Sequence, residues 1–532
     1  MVHGSHREGA RAQACFRRPP WSLRPAVHLA QKSLDGRAAW PKLGAMNTPP
    51  SLHLRHGFPR QQLWVREEPK NPFAAARKHE PVRPLIVGIH LGGLQLCPDK
   101  TTLLIRQEIC RARPGVVRLL RSEGPLPDGI EGDLDIVTIK RQPGDARVSA
   151  VMDKEDRRSE AGVNGRVSYQ HIVEKHGLEP SRLADFFEVE GLAAHGADIV
   201  ITEQADLLVA RDQGLLSNLP IMTPEEASVV VGVWSRLIHK PWLRGPSGVN
   251  VGLYYRCLGH ALTPAARHFL ASICGQKELR YRDEVSELEM SVLQGLARLA
   301  RRLDQMVALW QCPSGNEIND ELFAEFDDVV RDVWRVYDNL ALLSGYYLDI
   351  PLDHDKPTLW GLLTDDWKRA MKRSGSVGRA VASLVSTHAP RFRISQQLRH
   401  RAIHRAQLRN LTLQELGGPR KARIELEGQE LLAFEQATKL MGHPAEAWGL
   451  DQTVSPGLLD PMILAPRLVA HAAYMTNRIF EILKPQNDPD SPTIETDSGP
   501  EDVLFRPYAA NSAILSSPLS GLIDWQLPLD GV

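Results

Sequence analysis

Cysteine is scarce: six are scattered over 532 residues (Cys15, Cys97, Cys110, Cys257, Cys274 and Cys312), with no Cys-x-x-Cys pair. That argues against a zinc ribbon or a disulfide scaffold and fits a reducing cytoplasm. Net charge is missing as well, because 64 Lys and Arg balance 64 Asp and Glu. No global field therefore draws the chain onto nucleic acid, and any such contact has to come from a local patch such as Arg391 through Arg409. No apolar run approaches the length of a membrane span. His90-Leu-Gly-Gly93 has neither the Gly-x-Gly-x-x-Gly pattern nor a Lys-Ser/Thr pair, so it is set aside as a phosphate loop. No cofactor is expected.

The length allows two or three domains with substantial cores. Residues 1–80 are rich in Arg, Pro, Gly and Ala, nearly without periodicity, and have few acids before Glu67. They read as a disordered extension, or as an upstream stretch before a true start at Met46; an Arg-rich transit peptide is the alternative. Arginine far outnumbers lysine, which fits a GC-rich genome more than a binding function.

Residues 81–244 read as an α/β domain. Leu85-Ile-Val-Gly-Ile89 and Leu134-Asp-Ile-Val-Thr-Ile139 are strand runs, and Leu103 through Leu120 reads mostly helical. An ordered series follows: a helix from Leu183-Ala-Asp-Phe-Phe187, the strand Ala197-Asp-Ile-Val-Ile-Thr202, a short helix at Ala205-Asp-Leu-Leu208, and Pro220-Ile-Met-Thr-Pro-Glu-Glu-Ala227. Over about 45 residues this resembles the C-terminal half of a PIN-like domain. PIN nucleases hydrolyse RNA with Mg²⁺ or Mn²⁺ held by a carboxylate cluster. Matched position by position, the helix-start acid is Asp185. Gln204 stands where an acid follows the strand's threonine, and Val87-Gly88-Ile89-His90 lacks the acid of the first strand. Asp198 and Asp206 match positions that do not usually hold metal. The resemblance thus implies a degenerate PIN-like fold with no metal site; an unrelated doubly wound α/β domain is the alternative.

Beyond the break at Arg244-Gly-Pro-Ser-Gly248 the chain reads as helical almost to Leu483. Residues 245–315 form a connector, 316–484 a helical domain, and 485–532 a disordered Pro/Asp/Ser-rich tail. Val285, Leu288, Val292, Leu296, Leu299, Leu303, Met306 and Trp310 make a long seam for another helix or a second subunit. Leu322, Phe326, Val329, Val333, Tyr337 and Leu340 form one face of the next helix. Pro466 is expected to open the last.

Late in the helical pattern stands Arg399-His-Arg-Ala-Ile-His404. An arginine, a polar residue, three more residues and a histidine resemble the motif of the HEPN superfamily, all-helical domains of many toxin and defence ribonucleases. The resemblance spans roughly residues 320–484. It gives His404 proton transfer, Arg399 the grip on phosphate and His400 a helping role, in a cleft shared by a homodimer. The chemistry suits these residue types, since a histidine titrates near neutrality and a guanidinium fork holds phosphate charge.

Geometry adds conditions. With Ser395 as N-cap, Leu398, Ala402, Ile403 and Ala406 form an apolar arc that includes Arg399. Arg399 and His404 lie about 140° apart, so a groove or second subunit must bring them together. Two other readings stand beside the ribonuclease: a basic amphipathic helix with solvated histidines, and a metal site on His400 and His404, which lacks the glutamate of a zinc-protease helix. The expected architecture is an α/β, PIN-like three-layer domain followed by an all-α, HEPN-like bundle. Together they resemble an actinobacterial-type pairing of a degenerate PIN-like domain with a HEPN-like one. The expected function is cytoplasmic RNA handling in defence, toxin or RNA-quality pathways, by metal-independent endoribonuclease action. The alternative is a non-catalytic scaffold binding RNA, nucleotide or protein.

Overall fold

The computed structural model describes residues 71–91, 109, 115–122, 135–141, 148–152, 158–161, 183–212, 219, 221–241, 249–276, 279–313, 315–350, 361–404, 410–414, 420–451, 457–484 and 516–519. By its internal contacts the chain separates into residues 1–48 and 49–532, and every described residue lies in the second unit.

Seven strands form one sheet: β1 (Leu85–Ile89), β2 (Val117–Ser122), β3 (Asp135–Arg141), β4 (Val148–Met152), β5 (Arg158–Ala161), β6 (Ile199–Ile201) and β7 (Ile221–Met222), in the order 5-4-3-2-1-6-7. β3, β2, β1, β6 and β7 are parallel, while β4 and β5 extend the β3 edge antiparallel. β1 is buried nearly throughout, as an apolar strand covered on both faces must be. Gly88 sits mid-strand because a Cβ there would come within 3.1 Å of Leu192 on the covering helix. The chain leaves β1 toward β2 on one side and returns to β6 on the other, which makes the β1/β6 boundary the point where the winding reverses.

Among the described residues the helices of this half are α1 (Pro72–Arg77), α2 (Leu183–Ala194), α3 (Ala205–Asp212) and α4 (Pro224–Leu237). Thr223 caps α4: its side chain accepts the Glu226 amide while the Glu226 carboxylate accepts the Thr223 amide. Val229, Val230, Val231, Val233 and Trp234 are all buried, so α4 is apolar nearly all round. A helix of that kind needs cover on every side. It packs on β6 and β7 and also on a long helix of the following region, so one core runs through both halves.

The helical half begins with α5 (Val251–Leu262) and α6 (Pro264–Gly275), then α7 (Arg282–Trp310) and α8 (Asn316–Tyr347). α7 and α8 share the most extensive contact in the molecule. The seam from Val285 to Met306 is filled by partners within the chain, with Val292, Leu296, Leu299 and Leu303 buried. It therefore offers no vacant face to a second subunit. Arg302 of α7 reaches Glu325, Asp328 and Asp332 of α8 at 3.0, 2.6 and 2.8 Å. α9 (Asp365–Arg373), α10 (Ser376–Thr387), α11 (Ala389–His404), α12 (Gln429–Met441) and α13 (Pro461–Leu483) complete the helices.

Several sequence expectations are corrected. The region is not all-α: β8 (Asn410–Gln414), β9 (Arg420–Glu425), β10 (Leu450–Asp451) and β11 (Leu458–Leu459) form an antiparallel sheet in the order 10-11-9-8. Val117 through Leu120 is strand, because parallel pairing with β1 overrides a helical pattern. Ser395 is not an N-cap; it lies within α11 and its hydroxyl donates to the Phe392 carbonyl at 3.0 Å. Pro466 does not open the last helix, which starts at Pro461 with Asp460 accepting the Met462 amide. The tail expected to be unfolded contains Ser516–Leu519, all four buried.

Those residues are held by Arg236 at the C-terminal turn of α4. Its guanidinium forks onto Asp304 of α7, with Nη2 at 2.8 Å, and donates to Tyr254 Oη at 3.0 Å and the Ser516 carbonyl at 2.6 Å. Tyr255 Oη donates to the same carboxylate at 2.5 Å. We expect Asp304→Asn to cost about 3–5 kcal/mol in denaturant unfolding, because it strands a buried guanidinium. Replacing Arg236 and Asp304 together by Met and Leu should recover most of that loss.

Glu289 of α7 is buried too, and burial raises its carboxyl from 4.5 to about 7. The folded chain thus keeps a proton that the unfolded chain has released, so stability falls as pH rises from about 4.5 through about 7. Glu289→Gln should be nearly neutral below about pH 5 and stabilising by on the order of 2–3 kcal/mol above about pH 8. Equal differences at the two ends of a pH series of urea melts would contradict this.

Candidate functional site

At the reversal between β1 and β6, the strand that lacks the expected acid is followed by a histidine. His90 directly follows β1 and is fully buried, with Nδ1 2.9 Å from Thr202 Oγ1 at the end of β6. The Gln204 amide donates to that same hydroxyl at 3.1 Å. In the tautomer with its proton on Nε2, His90 accepts the Thr202 hydroxyl at Nδ1 and turns the ring N–H toward α2. Nε2 lies 3.5 Å from both Asp185 Oδ1 and Glu188 Oε2, in the first two turns of α2. Glu188 Oε1 also accepts the Leu91 amide at 3.1 Å.

This arrangement makes Asp185 part of the site, as its sequence position implies, and adds Glu188 and His90. The i, i+3 spacing of the two acids on a helix could have flagged Glu188. Nothing local could have flagged His90, because its partners lie 95 or more positions away in sequence. Asp198 has another role. It takes Arg83 in a two-pronged pair at 2.6 Å per contact and accepts the Ile86 amide at 2.9 Å, which pins the entry of β1. Asp206 belongs to the first turn of α3, where an acid complements the helix terminus.

The donor set does not fit the divalent ion of a PIN nuclease. Hard ions take oxygen ligands, and here the imidazole stands between the acids and the strand end. Gln204 is buried and supplies no carboxylate. Among the described residues no group of three His, Cys, Asp or Glu side chains is placed to hold a metal.

The second candidate region is α11. Its backbone is helical through His404, while the side chains of His400 and His404 lie outside the described residues. Leu398 is buried, as the apolar arc requires, but Arg399 is half-buried and turns onto α8. Its guanidinium carbon lies 4.9 Å from the Trp334 ring centroid, and Nη2 lies 3.5 Å from Asp338 Oδ2. Burial raises the Asp338 carboxyl above its ordinary range and Arg399 opposes that shift. Arg391 does not join a surface patch with its neighbours; it is buried and bonds His388. One cation–π pair whose cation is half-exposed and one long ion pair together carry little stability. Arg399→Ala should therefore lower the unfolding free energy by only about 1 kcal/mol. A larger loss in chemical denaturation would make Arg399 a structural residue.

Comparison of the chain with family models, with curated proteins and with solved structures finds no match in any of the three.

Proposed function

We propose that this chain handles RNA, with a PIN-like α/β half that has lost its metal chemistry and a HEPN-like helical half that cleaves phosphodiesters without a metal. The observation that carries this reading is the setting of Arg399. A guanidinium lying against Trp334 is held in place while its in-plane N–H donors remain at a half-exposed surface. The Asp338 contact, at 3.5 Å, is long enough for a phosphate oxygen to displace it. His404 follows on the same helix, with the residue type and spacing for proton transfer to or from a ribose hydroxyl or leaving oxygen.

The α/β half supports the same reading from a different side. Its parallel strands run 3-2-1-6-7, an open doubly wound arrangement whose ligand crevice lies at the strand reversal. Gly88 and Gln204 stand where PIN nucleases need acids, which argues against a second, metal-dependent centre. Assembly as a homodimer, defence, toxin or RNA-quality work, and cytoplasmic location are parts of the proposal that rest on the HEPN resemblance. A second reading, a non-catalytic scaffold binding RNA, nucleotide or protein, is favoured by one observation: Arg399 already has a carboxylate partner.

The test is cleavage of a generic single-stranded RNA by the full chain. Activity should survive EDTA, and His404→Ala should reduce it by about 10²–10⁴-fold while leaving RNA affinity nearly unchanged. Arg399→Ala should weaken both. Activity abolished by EDTA and restored by Mn²⁺ would move the chemistry to the α/β half. No cleavage by the wild type would favour the scaffold.

A further inference from the structure

A cluster of basic and aromatic side chains lies inside the helical half, on the buried side of α8 and α11 and without Arg399 or His404. His388 and Arg391 come from the α10–α11 junction, His443 from the segment after α12, and Arg467 and His471 from α13, all more than nine-tenths buried. Tyr337 of α8, Trp448 and Tyr474 pack among them. The His388 and His471 ring centroids are 5.6 Å apart, and the Arg467 guanidinium lies 5.6 Å from the Trp448 ring centroid.

Hydrogen-bond accounting fixes the protons. Arg391 Nη1 donates to His388 Nδ1 at 2.7 Å, and Trp448 Nε1 donates to His443 Nδ1 at 3.1 Å. Guanidinium and indole groups only donate, so each of these histidines accepts at Nδ1 and carries its proton on Nε2. Tyr337 Oη lies 2.7 Å from His471 Nδ1; with the phenol as donor, His471 also carries its proton on Nε2. The Nε of Arg391 and the Nε2 atoms of His443 and His471 are buried with no hydrogen-bond partner. Three donors from three separate segments thus end without an acceptor.

Charge points the same way. Burial, reinforced by Arg391, holds His388 and His443 down to about 4 and His471 well below its ordinary range, so the histidines are neutral at physiological pH. Burial also lowers Arg391 to about 10, which leaves it cationic. Both Arg391 and Arg467 disfavour the charged form of His443. Arg423 nearby has Asp460 at 2.8 Å, but among the described residues no ion pair answers Arg391. A desolvated cation and orphaned donors are each expensive to maintain. A bound anion satisfies both at once.

We propose that this cluster is a binding site for a phosphate group, free or carried on a small molecule, with Arg391 Nε and the Nε2 atoms of His443 and His471 as its donors. Donors drawn from three segments suit the tetrahedral oxygens of phosphate better than the single plane of a carboxylate. The site does not depend on the RNA reading, since neither Arg399 nor His404 contributes to it.

The test is thermal unfolding of the full chain at matched ionic strength in chloride, acetate, inorganic phosphate or adenosine monophosphate. Phosphate well above its Kd should raise Tm by about 2–5 °C, with chloride and acetate inert. A larger rise with the nucleotide identifies a phosphomonoester as the ligand, and an equal rise identifies the free anion. Arg391→Met should abolish the response. Calorimetric titration of inorganic phosphate into the wild type provides a measurement that needs no variant, and saturable heat is expected. The proposal is overturned if neither phosphate nor nucleotide binds the wild type, if acetate matches phosphate, or if Arg391→Met keeps the full response.

Discussion

Arg236 leaves the last turn of α4 with Asp304, Tyr254 and Ser516 around it, and the three belong to α7, α5 and a segment near the C-terminus. α4 lies between the sheet and the helical bundle, so this guanidinium sits where the two halves share a core. Hydrophobic burial joins the halves without direction, whereas a two-pronged ion pair fixes how α4 and α7 meet. The cost of burying both charges is offset only while the whole set of partners is present. For that reason the α/β and helical halves form one compact unit rather than two domains on a linker.

The same rule, that buried charge must be answered, separates three kinds of site in the molecule. At Arg236 the answer is complete and internal. At His90 two carboxylates stand 3.5 Å away and a threonine fixes the ring from behind, an arrangement that orients an imidazole without committing it. At Arg391 no carboxylate among the described residues answers, and the neighbouring histidines respond by giving up their charge. A fold that compensates Arg236 and Arg423 with Asp304 and Asp460 is able to place acids beside arginines. Their absence at Arg391 is thus a property of that site.

Legibility in the sequence followed the range of the interactions. The strand run Leu85–Ile89, the Thr223-Pro-Glu-Glu226 helix start and the α7 and α8 stripes were readable because propensity, capping and periodicity are local. Helix starts failed where a competing signal lay nearby: Pro461 behind Asp460 outranked Pro466, and Ala389-Pro390 opened α11 before Ser395. The sheet of β8 to β11 was missed because its strands are short and pair across a helix, β9 meeting β11 more than thirty residues later. Of the candidate residues, Asp185 was legible from its place in a pattern, but His90 takes its meaning from partners 95 or more positions away.

The buried cluster was the least legible of all. Each member alone has an ordinary explanation: His471 is one of several polar residues in a mostly apolar helix, His443 stands in a Gly-His-Pro turn, and Arg391 opens a basic run. Periodicity could place His471 on a buried face, yet one buried histidine is usually satisfied by a neighbour, as this one is by Tyr337. What no single segment could reveal is the sum. Each histidine spends its Nδ1 on a local partner, and the proton is thereby left on the opposite nitrogen. For His443 and His471, satisfying one side of the ring leaves an unmet donor on the other.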